Sequence, residues 1–340
     1  MPPLKKIALT VGKIGISVAL LGYLGYRAYQ DPSFTALLSG PKSWGYLGLA
    51  WLAVLGAVLL TLLRWHLLVR TLDMPLTVRD ALRIGFVGYL FTLAASLVGG
   101  DALKAAFLIH LQPKRKTEAV ATVVIDRAMG LYALLLLAAV ASLFLDISTL
   151  DLTDMDRMVI TRLCQMARIV AVVLTIGLGL LFMPGFTTSK AWDAVEHWPV
   201  VGGALHKLVS AMRIYRRRAD CLFLALAMSL GIHTLYTFMV FCVALGLRSP
   251  HPPLASHFVI VPVSMVAGTL PVGAFEVVLD LLYRSVSTIG VPENQGFLIA
   301  LTYRVIQISV ASVGALFYLT SRREVTELLH EAEEVAASEA

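Results

Sequence analysis

Long uninterrupted apolar runs alternate along this chain with short polar, basic or acidic breaks. A run of about 20 apolar residues is what an α-helix needs to cross the hydrocarbon core of a bilayer. A membrane β-barrel would instead show shorter segments of alternating polarity. The pattern predicts an all-α polytopic membrane protein with about six full transmembrane helices, near Ile7–Tyr29, Trp44–Leu68, Glu118–Leu145, Met166–Met183, Cys221–Leu247 and Phe297–Thr320.

Two regions break this rhythm. The apolar run Ile84–Val98 is too short for a comfortable span; Gly99-Gly100-Asp101 and a short helix from about Ala102 to Leu111 follow it. Basic residues flank the region on both sides, Arg64, Arg70, Arg79 and Arg83 before it and Lys114-Arg115-Lys116 after it. It therefore reads as a re-entrant hairpin that enters and leaves on the cytoplasmic side, with Gly99 and Gly100 at its tip. The second region, His257–Leu270, is interrupted at Pro271-Val272-Gly273 and resumes as a helix over about Phe275–Ile289. It reads as a hairpin entering from the other side, with Pro271 and Gly273 at its tip. Irregular backbone at membrane depth is tolerated where it is buried in protein or lines a wet cavity. Two oppositely oriented broken segments are the sequence pointer to a transporter site. The two halves share no obvious residue-level identity.

Composition sharpens this picture. Of 340 residues 58% are hydrophobic and 15% charged, more apolar surface than a soluble domain could hide. The net charge of +6 is explained by basic residues in short loops, as the positive-inside rule expects, and no aromatic–basic interleaving points to nucleic acid. The same rule puts both termini in the cytoplasm. Cys164, Cys221 and Cys242 form no CxxC pair and read as small core hydrophobes, so neither a disulfide framework nor a metal site is expected. No dinucleotide, Walker or hydrolase motif is present, so no cofactor is expected.

Charged residues at membrane depth are the candidate chemistry, because such groups are expensive there. Asp101 can cap the helix that follows the glycines, or with Lys104 it can face a polar cavity and handle a charged head group. Asp126 and Arg127 are adjacent on a helix and point about 100° apart, so Arg127 needs a partner elsewhere, Asp101 or Glu276. A guanidinium is also a good planar ligand for phosphate. Glu276, Asp280 and Arg284 recur at helical spacing on one face, a stripe that could line a cavity, with Asp280 and Arg284 as secondary candidates. Arg304, in the last span, could hold phosphate or neutralise Glu276. His233 reads as a hydrogen-bonded core histidine.

At these residues the chain resembles the lysylphosphatidylglycerol synthase/flippase transmembrane-domain family. Gly99-Gly100-Asp101 with Lys104, Asp126-Arg127-x-x-Gly130, Pro271-x-Gly273-x-Phe275-Glu276 and the late Arg304 carry the resemblance, in order, over about residues 5–320. The resemblance implies a protein that moves lipids with polar or charged heads across a bacterial or archaeal cytoplasmic membrane. Residues 1–320 then form a single transmembrane flippase-like domain, with 184–220 as a cytoplasmic interfacial segment and 321–340 as an acidic cytoplasmic tail. Little chain follows the last span, so the flippase part without a soluble synthase domain is expected, and no enzyme. Two departures stand out: the run Phe91–Val98 lacks the Asn and Pro common before the Gly-Gly-Asp, and Lys104 stands where arginine is common. The aminoacylated lipid is therefore not carried over.

The expected function is translocation of a polar-headed phospholipid or lipid-linked substrate, with Arg127 and Arg304 on the phosphate and Asp101 and Glu276 balancing them or meeting a cationic head. A membrane-embedded transferase or hydrolase on a lipid-linked substrate, and a secondary transporter of a small anion, are the alternatives. The partners expected are the bilayer and its lipid, with no nucleic acid; a homo-oligomer is compatible with the sequence.

Overall fold

The computed structural model describes residues 26, 30, 39–94, 99–147, 153–183, 202–268, 273–286 and 294–320. Nearly all of the expected first span, the expected tip at Pro271, residues 184–201 of the expected interfacial segment and the acidic tail lie outside them. Among the described residues the regular structure is entirely helical: α1 (Trp44–Thr71), α2 (Val78–Ala94), α3 (Gly99–Leu111), a 3-10 turn (Pro113–Arg115), α4 (Lys116–Ala141), α5 (Asp154–Phe182), α6 (Gly202–Tyr215), α7 (Ala219–Gly246), α8 (Leu254–Ala267), α9 (Ala274–Val286) and α10 (Gln295–Thr320). Five of these, α1, α4 with its preceding turn, α5, α7 and α10, are long and apolar enough to cross a bilayer. They match the expected spans that fall within the described residues, and the protein is a multi-pass membrane protein.

Helix starts differ from the sequence expectation where side chains cap them. Asp154 and Asp156 lie in the first turn of α5, which begins well before the Met166 expected for that span. Thr153 caps it: its Oγ accepts from the Asp156 backbone N–H at 3.2 Å and donates to the Asp156 carboxylate at 2.7 Å. Thr77 and Asp80 start α2 in the same way, at 3.1 and 2.6 Å. Each Thr-x-x-Asp box satisfies end groups that an apolar pattern alone does not reveal.

The described residues divide into two compact units, those that fall within Met1–Ala53, Leu134–Ala171 and Thr234–Ile306 and those that fall within Val54–Ala133, Val172–His233 and Gln307–Ala340. The division falls within the five long helices, so each contributes residues to both.

The second unit is built on the helix pair α2–α3. Gly99 and Gly100 form the first turn of α3, not a bend before a helix at Ala102. Gly100 has a packing reason. A Cβ there would run into the Gly88 carbonyl oxygen and the Thr92 hydroxyl, so the two backbones meet where no further side chain fits. A Cβ at Gly314 of α10 would likewise run into the Phe86 carbonyl of α2. Around this pair Trp65, Ile84, Leu103, Ile125 and Met212 form one apolar core with α6, whose Tyr215 hydroxyl donates to the Leu68 carbonyl at 2.9 Å. Gly100→Ala is expected to force α2 and α3 apart and cost about 1–3 kcal/mol, the range for overpacking. Gly48→Ala, at an exposed helix position with nothing within 4 Å, should be neutral or slightly stabilising. Thermal midpoints of the detergent-solubilised variants check the pair.

The first unit contains the helix pair α8–α9. Its centre is His257, buried, whose Nε2 is 2.6 Å from the Tyr283 hydroxyl and whose Nδ1 is 3.1 Å from the Pro253 carbonyl. The Phe241 ring packs edge-on to His257.

Candidate functional site

In the second unit, α4 aims Asp126 into the core and turns Arg127 away from it, because neighbours on a helix diverge by about 100°. Asp126 is buried and accepts from Arg64 Nε at 2.8 Å. Arg64 Nη1 also donates to the Ser229 hydroxyl at 2.5 Å, so one guanidinium ties α1, α4 and α7. Gly130, one turn beyond Asp126, lies against that guanidinium; a Cβ there would stand 3.4 Å from Nη1. The Gly130 carbonyl also takes the His233 Nε2, at 3.1 Å. Lys104 is buried too, with Nζ 3.9 Å from Asp126 Oδ2 and 5.2 Å from the centroid of the Trp65 ring. Two buried cations thus share one buried carboxylate.

Arg127 holds Asp101 in a fork, Nε to Oδ2 at 2.5 Å and Nη2 to Oδ1 at 2.9 Å. Asp101 sits in the first turn of α3, where the helix dipole favours an anion, but both its oxygens go to Arg127. The arginine side chain remains 49% exposed, which leaves Nη1 free to meet a ligand.

In the first unit, Glu276 lies in the first turn of α9 and is fully buried. Its Oε1 accepts from Arg304 Nε at 2.8 Å; its Oε2 has no hydrogen-bond partner. Arg304 is 43% exposed, with the Phe275 and Tyr303 ring centroids 5.7 and 5.9 Å from its guanidinium carbon. Asp280 bridges two groups: Oδ2 is 3.2 Å from Arg284 Nε, and Oδ1 accepts the Phe297 N–H at 3.2 Å, which anchors the start of α10. A cavity of about 210 Å³ is lined by Asp156, Glu276, Asp280, Arg284, Asn294 and Phe297 among others.

Gly273 leads into α9 with φ 100°, a conformation L side chains rarely adopt. Its carbonyl accepts the Val277 N–H at 3.0 Å and closes the first turn around Glu276. Gly273→Ala is expected to cost about 1–2 kcal/mol in backbone strain, and Gly273→Asn less, since Asn visits positive φ more readily. Thermal midpoints in detergent read this difference.

Each unit therefore repeats one arrangement. A packed helix pair ends in a 13-residue helix with an acid in its first turn, Asp101 in α3 and Glu276 in α9. A 26-residue helix follows and carries the arginine that pairs with that acid, Arg127 in α4 and Arg304 in α10. The separations along the chain are 26 and 28 residues.

The sequence expectation that Arg127 pairs with Asp101 or Glu276 resolves to Asp101, and Arg304 neutralises Glu276. The stripe Glu276–Asp280–Arg284 does line one cavity. Lys104, expected with Asp101 at a polar cavity, is buried against Asp126 and Trp65. Pro271 lies outside the described residues.

Arg64 and Ser229 are the residues that sequence reasoning missed. The charge pattern places Arg64 with the basic residues flanking the first hairpin, yet it lies inside α1 and is buried. The available signal was its setting in Thr61-Leu62-Leu63-Arg64-Trp65, apolar on both sides and short of the Arg70 that does end the helix.

Neither a curated protein nor a solved structure matches the chain significantly. The family described as lysylphosphatidylglycerol synthase TM region matches residues 10–314. With that match over nearly the whole chain, and with the Gly-Gly-Asp, Asp-Arg, Phe-Glu and late Arg positions joined in two acid–arginine pairs, the protein belongs to the lysylphosphatidylglycerol synthase transmembrane-region family.

Proposed function

We propose that the protein is a lipid translocase that moves a polar-headed phospholipid or lipid-linked substrate across a bacterial or archaeal cytoplasmic membrane, with both termini in the cytoplasm and without chemical change to the lipid. The observation that carries this reading is the exposure of Arg127 and Arg304, 49% and 43%, inside apolar helices of membrane-spanning length. A cation facing hydrocarbon would be costly, so a half-exposed guanidinium in such a helix calls for water or an anionic head group beside it. The paired carboxylate holds Arg127 through Nε and Nη2 and Arg304 through Nε, and leaves other N–H donors of each guanidinium for a phosphate. Asp101 and Glu276 act as positioning residues that hold each arginine in place between lipids.

Reconstitution tests the reading. Proteoliposomes of phosphatidylcholine with a trace of fluorescent short-chain phosphatidylglycerol should lose more than half of their fluorescence to an outside quencher, at a rate that scales with protein. Protein-containing and empty vesicles that quench alike would overturn it. Recovery of a chemically altered lipid would favour a membrane-embedded transferase or hydrolase instead.

A further inference from the structure

The Glu276 carboxylate is only half used. It is fully buried, its Oε1 is held by Arg304, and its Oε2 is buried with no donor, although Glu276 lines a cavity of about 210 Å³. A liquid water occupies about 30 Å³, so this space accommodates several. The other groups facing that cavity are engaged or of the wrong kind. Asp280 has one oxygen on Arg284 and the other on the Phe297 N–H. Asp156, from α5, has an oxygen on the Thr153 hydroxyl at the helix start. Asn294 does not titrate. On α8, which packs against α9 but does not line the cavity, the titratable group is His257, bonded to Tyr283 and Pro253. On α10 the charged group against Glu276 is Arg304 itself.

We infer that Glu276 is a proton site coupled to the anionic substrate through Arg304, so that an anionic lipid enters this station together with one proton. The inference rests on the translocase reading and adds its energy source. Without lipid, Arg304 and Glu276 neutralise each other. When a phosphate takes the exposed N–H groups of Arg304, one cation faces two anions, and the buried carboxylate is the more expensive to leave uncompensated. A proton from water in the cavity binds Oε2, forms the neutral carboxylic acid and restores charge balance; the O–H bond formed is the only covalent change. Linkage makes the effect reciprocal. Lipid binding takes up a proton, and binding of the anionic lipid weakens as pH rises.

Proton uptake on binding tests this apart from transport. Full-length protein in weakly buffered detergent with a pH indicator dye is titrated with dioleoyl phosphatidylglycerol, and bound lipid is counted by native mass spectrometry. Wild type should take up as much as about one proton per lipid bound, the limit for a single linked group. Glu276→Gln, which mimics the protonated acid, should still bind lipid but take up none, and its own lipid count shows that it is folded. In proteoliposomes an imposed pH gradient should shift the inward–outward distribution of the fluorescent lipid for wild type and not for Glu276→Gln. Lipid binding without proton uptake, or equal uptake by the two proteins, overturns the coupling and leaves translocation standing. A wild type that binds no phosphatidylglycerol overturns both.

Discussion

Asp126→Ala is expected to destabilise the protein by about 3–5 kcal/mol, the range for removing one partner of a buried ion pair. It should cost more than Arg64→Ala. Removing the carboxylate leaves two buried cations, Arg64 and Lys104, without their counter-charge, whereas removing Arg64 leaves Asp126 with Lys104 at 3.9 Å. Native stability is commonly about 5–15 kcal/mol, so a loss of this size should appear as a sharp fall in monodisperse yield and in thermal midpoint. Asp126→Asn should fall between wild type and alanine, because its side-chain carbonyl can still accept from Arg64 Nε. The triple variant Arg64→Met, Lys104→Met, Asp126→Leu separates structure from function. Well-packed apolar replacements of a buried ion network are often near neutral, so stability should largely return. If the network also carries the excess positive charge that draws an anionic head group, translocation should not return with it. An Asp126→Ala variant within about 1 kcal/mol of wild type would show that the network contributes little to the fold.

Arg127→Ala and Arg304→Ala should do the opposite, sparing stability and removing transport. Both side chains are half exposed, and a pair of that kind contributes about 0–1 kcal/mol to stability. A charge-assisted hydrogen bond to a phosphate is worth about 1.5–3 kcal/mol. With about 1.4 kcal/mol per factor of ten, each arginine removed should slow translocation by roughly 10- to 100-fold. Arg→Lys at either position keeps the charge but loses the planar fork, so it should recover part of the rate. Asp101→Asn tests positioning: the arginine keeps its charge and loses its clamp, so a moderate loss is expected, made up at higher lipid density. Translocation rates in proteoliposomes for the five variants, beside their thermal midpoints, read all of this. Arginine variants as fast as wild type would remove the observation on which the proposed function stands.

The sequence was most legible where one force acts alone. Spans follow from runs of apolar residues, because crossing a bilayer demands length and hydrophobicity and little else, and Trp44–Thr71, Ala219–Gly246 and Gln295–Thr320 lie where those runs lie. Helix starts were less legible. Thr153 and Thr77 move α5 and α2 outward by capping, a local hydrogen-bond effect that outweighs the polarity of the acidic residues it recruits. Gly100 was legible as a glycine that something requires, but not as a crossing point, since Gly88 meets it from another helix.

The sequence by itself determined the material of the site: two broken segments, each with an acid, each followed by a span with an arginine. Tertiary structure decided who pairs with whom. Asp101 could serve as a cap or a ligand, Arg127 had two candidate acids, and Arg64 looked like a residue at the membrane edge. Partner choice depends on distance and burial, because Coulomb attraction and desolvation both change steeply over a few ångströms. A list of residues does not contain those distances. Folding sets Arg64 at 2.8 Å from Asp126 in the core, and leaves Arg127 and Arg304 half exposed, each on the carboxylate that holds it.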